Sequence, residues 1–111
     1  MPTNKNQLRE DAFEFALNVA NVCEKIPGNE FYRDVLLTTS SAIGTRLAAL
    51  KNVREEESAI RRLCAALDMC AEFAFASKIL FAQGKLDENT YKALKKQISS
   101  IERRISTVIS E

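Results

Sequence analysis

Apolar residues along this chain recur at spacings of three and four, the period of helix faces and not of strands. In the first segment, Gln7 to Ile26, one stripe is formed by Ala12, Phe15, Val19, Val22 and Ile26. Phe13, Leu17 and Ala20 widen it. Asn6 stands where an N-cap belongs, with Glu10 and Asp11 near the positive end of the helix dipole. Ile26-Pro27-Gly28 breaks the pattern and marks a turn. The second segment, Glu30 to Lys51, carries Phe31, Val35, Leu36, Ala42, Ile43, Leu47 and Leu50 as its apolar face. Its run Thr38-Thr39-Ser40-Ser41, followed by Gly44, is poor in helix propensity, so a bend is expected there.

The third segment runs from Val53 to Gln83, with Asn52 and Glu55 at capping-box spacing and Glu55-Glu56-Glu57 at the dipole's positive end. Further along, Leu67, Met69, Cys70, Phe73, Phe75, Ile79, Leu80 and Phe81 occupy nearly every side. So short a chain cannot surround one of its own helices, so this girdle predicts burial by a second copy. Met69, Glu72, Phe73 and Phe75 are the expected interface positions. Phe73 and Phe75 lie about 200° apart around a helix. One of the two is expected in the chain's own core and the other at the subunit contact.

Gly84 ends this segment, and Asp87 caps the fourth, with Leu86 and Tyr91 at hydrophobic-staple spacing. Tyr91, Leu94, Ile98, Ile101, Ile105 and Val108 then keep a strict heptad spacing, the seam of a helix bundle. The pattern predicts an all-α fold, an antiparallel up-down-up-down four-helix bundle, as a single domain over residues 1–111.

Composition narrows the function more than the fold. The 111 residues include no His, which removes histidine bases, Ser-His and Cys-His pairs and most catalytic zinc sites. Asp68 and Glu72 are four apart and share a helix face, but without His they do not make a di-metal site. Ion pairing, within the bundle or across a subunit contact, is the expected role, with Arg46 as a candidate partner. With no nucleophile–base or metal constellation, a non-enzyme without cofactor is expected. The N-terminal run has no apolar core of a secretory signal. The most apolar stretch, Ala65 to Ala82, contains Asp68, Glu72 and Lys78, which argues against a membrane span. Cys23, Cys64 and Cys70 form no C-x-x-C and have apolar neighbours, so reduced core thiols in a cytoplasmic protein are expected.

Sixteen Lys and Arg against fifteen Asp and Glu give a net charge of +1, far from a strongly basic monomer. Basic residues occur in small groups, and the simplest reading is a solvated face of mixed charge. A functional reading needs symmetry, in which several subunits place the same residues around one face. Arg61, Arg62, Lys92, Lys95, Lys96 and Arg103 are the candidates for binding nucleic acid or a partner. With no Trp and two Tyr, platforms for base stacking are scarce.

Several runs carry a resemblance to a known family. They are Lys25-Ile26-Pro27, Ser41-Ala42-Ile43, Leu63 with Ala66-Leu67, Ala71-Glu72-Phe73, and Gly84-Lys85-Leu86-Asp87 followed by Tyr91, Leu94, Ile101 and Arg103. In these the chain resembles the small bacterial four-helix-bundle proteins of 23S rRNA intervening sequences. That family includes the accessory variability determinant proteins of diversity-generating retroelements. The resemblance implies a homopentameric ring and, for the retroelement members, a basic surface that binds RNA or DNA and a partner reverse transcriptase. The family's basic pair in the second helix falls here on Leu37 and Thr38. Two readings follow. One is an accessory or scaffold protein presenting basic residues to nucleic acid or to a nucleic-acid enzyme. The other, favoured by near-neutral charge and the missing pair, is a structural protein–protein interaction module.

Overall fold

The computed structural model describes residues 3–28 and 30–110. Four helices account for most of them: α1 Thr3–Cys23, α2 Phe31–Ala48, α3 Glu56–Ala82 and α4 Glu88–Ser110. A 3-10 turn, Ala49–Asn52, follows α2 directly. Successive helices are antiparallel, and α4 returns beside α1. Asn18 donates to Gln97 at 2.7 Å, and Arg104 pairs with Asp11 at 3.0 Å, so positions ascending α1 meet positions descending α4. This is the up-down-up-down bundle, 43 Å long and about half as wide. Among the described residues there is no strand, and no helix is long and apolar enough to cross a membrane.

The stripe of α1 begins a turn earlier than its apolar run suggests. Leu8, one turn ahead of Ala12, is fully buried. Burying it draws the helix back to Thr3, so Asn6 lies inside the helix and accepts from Arg9 instead of capping. At the other end Pro27 disfavours helical geometry at Ile26. The last turn tightens accordingly, with the Lys25 and Ile26 amides donating to Val22 and Cys23 at 3.0 and 3.1 Å. The Arg33 guanidinium closes that end by donating to the Cys23 carbonyl at 2.9 Å, a cation at the negative pole of the helix.

No break appears in α2 at the hydroxyl run. Thr39 and Ser40 face the core, where their hydroxyls donate to the Val35 and Leu37 carbonyls at 2.6 and 3.2 Å. A hydroxyl satisfied by the preceding turn costs little to bury. The change of geometry comes later, at Ala49–Asn52, where burial of Leu50 keeps the chain wound as a 3-10 turn. Asn52 is thus the end of that turn and not the cap of α3. The capping residue is Glu55, in extended conformation, without a side-chain bond to the helix.

The α3–α4 link matches its sequence signals. Gly84 takes a φ of 75°, its amide donates to Phe81, and the Lys85 amide donates to Leu80 at 2.9 Å. These are the two bonds of a Schellman stop. Asp87 then accepts from the Thr90 amide at 2.7 Å, and that bond holds its carboxyl below the ordinary range. A lowered folded pKa stabilises above the unfolded value and is lost as pH falls. Asp87→Ala is expected to lower Tm by roughly 4 °C near neutrality. The gap should be full above about pH 4 and close below it, as thermal melts across acid pH would show.

Between the helices lies one core. Phe15 of α1 meets Phe73 of α3 edge-on across the diagonal, centroids 4.8 Å apart. Around them pack Leu36, Ile43 and Leu47 from α2 and the heptad residues of α4, of which only Tyr91 is half-buried.

Candidate nucleic-acid interface

The heptad that turns Leu94, Ile98, Ile101, Ile105 and Val108 inward also fixes what faces outward. Lys92, Lys96, Ser99, Arg103, Ser106 and Ser110 repeat at spacings of four and three on the opposite side of the helix. Lys92, Lys96 and Arg103 are exposed and span about 16 Å of helix. Lys95 lies beside them, its ammonium 6.0 Å from the centre of the Tyr91 ring.

Of the acidic groups of α4, only Glu88 touches this face, at its N-terminal end. Glu88 sits in the first turn, paired with Lys92 at 3.0 Å in a solvent-exposed contact of little energy. Glu102 is half-buried, close enough to Cys70 to help raise its thiol pKa. Within α4 five basic residues stand against these two acids, a net of +3 in a chain of +1. The charge is thus carried unevenly, and the outer face of α4 holds the excess. Arg104, the sequence neighbour of Arg103, points instead toward α1 and its Asp11.

Arg61 and Arg62 do not join this face. They lie in the second turn of α3, after Glu55-Glu56-Glu57, and Arg61 pairs with Glu57 at 3.4 Å and donates to Ser58. Local charge there cancels. Because α3 and α4 are antiparallel, that end of α3 lies some 25 Å from the level of Lys92 and about 10 Å beyond the level of Arg103.

The positions expected at a subunit contact separate. Phe73 is buried within the chain itself, which removes it from any outer surface. Phe75 is 62 % exposed, Glu72 is exposed and Met69 is half-buried. Phe75 faces Phe31 across an open apolar groove between α2 and α3, floored by Tyr32, Val35, Ala71 and Ala76. Phe31, assigned from sequence to the inner face of α2, is 68 % exposed. Phe13 and Leu17 are likewise on the outside of α1. What marks them in sequence is position: each lies off the three-four stripe that carries Phe15 and Val19.

Asp68, Glu72 and Arg46 are all exposed, and no ion pair joins them among the described residues, so the bridge to Arg46 within the bundle does not form. No cluster of three metal-ligating side chains occurs among the described residues. Of the thiols, Cys23 and Cys70 are core, whereas Cys64 is exposed, contrary to its apolar sequence context. The cleft between α1 and α4 is polar and shallow, lined by Asp11, Glu14, Gln97, Ser100 and Arg104, whose main charges already satisfy each other.

No protein-family model matches the sequence, and no curated protein matches it. The fold does have a counterpart among solved structures. A crystal structure from Bacteroides thetaiotaomicron, a protein of unknown function from the S23 ribosomal protein family, superimposes with a TM-score of 0.92. The match covers 97 % of this chain and 99 % of the other at 15 % identity, so the likeness is one of fold.

Proposed function

We propose that this chain is a non-enzymatic accessory or scaffold protein that presents α4 to nucleic acid. What supports the reading is the concentration of positive charge on one helix face, with Ser99 between the cations, Ser106 and Ser110 beyond them and Glu88 at the N-terminal end. Lys and Arg on a rigid helix position a phosphate backbone without reading sequence. Three cations per chain bind weakly. A homo-oligomer multiplies them, and the resemblance to the intervening-sequence and retroelement accessory proteins suggests a pentameric ring in a bacterial cytoplasm. A nucleic-acid enzyme such as a reverse transcriptase is the protein partner that the same resemblance suggests.

The test is binding of a labelled nucleic acid across a salt series. Affinity should fall steeply with salt. Combined Lys92→Ala, Lys96→Ala and Arg103→Ala should weaken binding at least tenfold and flatten the log–log slope by about 2–3. Arg61→Ala with Arg62→Ala should change little. No salt-sensitive binding, or a triple variant that binds as well as the parent, overturns the proposal.

The exposed Phe31–Phe75 groove favours a second reading, a protein–protein module. Light scattering on the purified chain separates the two. A mass near five times 12.4 kDa with co-purifying nucleic acid lost in high salt supports the first. A clean oligomer without it supports the second.

A further inference from the structure

We infer that Phe81 and Tyr91 form a stacking ledge at the α3–α4 end of the basic face, and that its ligand is a single-stranded nucleic acid. The inference rests on the reading of α4 given above and names the ligand class. The two rings come from different helices and are parallel within 2°, with centroids 4.4 Å apart. Phe81 is 37 % exposed although its partner covers one face. An aromatic stack that leaves ring surface open is the form in which unpaired bases are held.

The ledge is also stiff. It sits on helix ends and not on a loop. Behind it lie the Schellman stop at Gly84, the buried Leu86, the Asp87 cap and the Lys85–Glu30 ion pair to the start of α2. A ring held this way gives up little freedom when a base stacks on it.

Cations outnumber acids around the ledge, the exposed acids at the start of α4 being Asp87 and Glu88, of which Glu88 pairs with Lys92. Lys78 lies one turn before Phe81 on α3, exposed, and makes no ion pair among the described residues. Lys95 stands over Tyr91, and Lys92 and Lys96 begin the stripe that runs along α4 from the level of the ledge. An apolar protein segment would gain nothing from these ammonium groups, whereas a phosphate backbone would run along the stripe while its bases reach the rings. Bases in a duplex are already stacked on each other and cannot use the ledge.

The experiment compares a labelled single strand with the duplex of the same sequence at matched salt. The proteins are the full chain and its Phe81→Leu and Tyr91→Leu variants, with melting curves run alongside. The single strand should bind more tightly than the duplex. Phe81→Leu should cost it roughly five- to hundredfold while leaving duplex affinity and the salt slope unchanged. Lys92→Ala with Lys96→Ala should weaken both. A second readout does not depend on those variants. In Tyr32→Phe the only tyrosine is Tyr91, and its fluorescence should be quenched by the single strand and not by the duplex. Equal affinity for the two forms, indifference to Phe81→Leu, or unquenched Tyr91 overturns the inference while leaving α4 as a phosphate-binding face. No binding of either form overturns both.

Discussion

Phe73→Ala is expected to destabilise the chain by about 3–5 kcal/mol, while Phe75→Ser, two residues away, should shift the stability of the single chain by no more than about 0.5 kcal/mol. The contrast comes from geometry. The Phe73 ring is fully buried and packs edge-on against Phe15, so truncation leaves a cavity at the centre of the bundle. A domain of this size has roughly 5–15 kcal/mol to lose, so the first variant uses up much of it. The Phe75 ring is 62 % exposed and loses few contacts within its own chain. Urea denaturation followed by circular dichroism measures both. Light scattering on Phe75→Ser adds a further arm: if the Phe31–Phe75 groove is a contact between copies, this variant remains folded and its mass falls. A Phe75→Ser chain that unfolds as readily as Phe73→Ala would place the ring in the core instead.

The bundle was legible because one signal, the three-four spacing, specifies both element and face. In α4 the spacing is unbroken, so reading the inner heptad also gives the outer one, including Lys92, Lys96 and Arg103. Sequence adjacency is the poorer guide. Neighbours in a helix point about 100° apart, which is why Arg103 faces solvent while Arg104 turns to Asp11. The two caps expected at Asn6 and Asn52 are absent for a shared reason. Leu8 and Leu50 lie next to them and are buried, and their burial outweighs a side-chain cap of about 1 kcal/mol. The girdle of α3 follows from residue type alone and leaves out the neighbouring helices. In the bundle α2 and α4 flank α3, so Leu67, Met69 and Ile79 are half-covered. Phe75 and Phe81 remain the exposed large apolar residues of α3. The ledge was not legible at all, because Phe81 and Tyr91 belong to different helices and meet only through the Gly84 turn.

The three cysteines should differ in reactivity by several orders of magnitude. Cys64 is exposed on α3 and is expected to react with a thiol reagent in the native protein within minutes. Cys70 has no accessible surface, and burial, aided by the Glu102 carboxylate, pushes its thiol up to about 12. At pH 8 such a group is about one part in ten thousand thiolate, roughly a thousandfold less than a thiol at 9.0. Cys23 is also buried and its pKa raised by burial, with the Arg33 guanidinium opposing. Native labelling followed by mass spectrometry should therefore give a single adduct at Cys64, and denaturant should release the other two together. The sign of the pH effect follows from the same shift. Cys70 binds its proton more tightly when folded, so its contribution is complete below pH 9 and fades as pH rises toward 12. Cys70→Ala lacks that dependence: it should start from a lower Tm and lose less of it between pH 9 and 11. Fast native labelling at Cys70, or parallel alkaline profiles for the two proteins, would show that α3 opens at its centre and that the Phe15–Phe73 core is looser than its packing indicates.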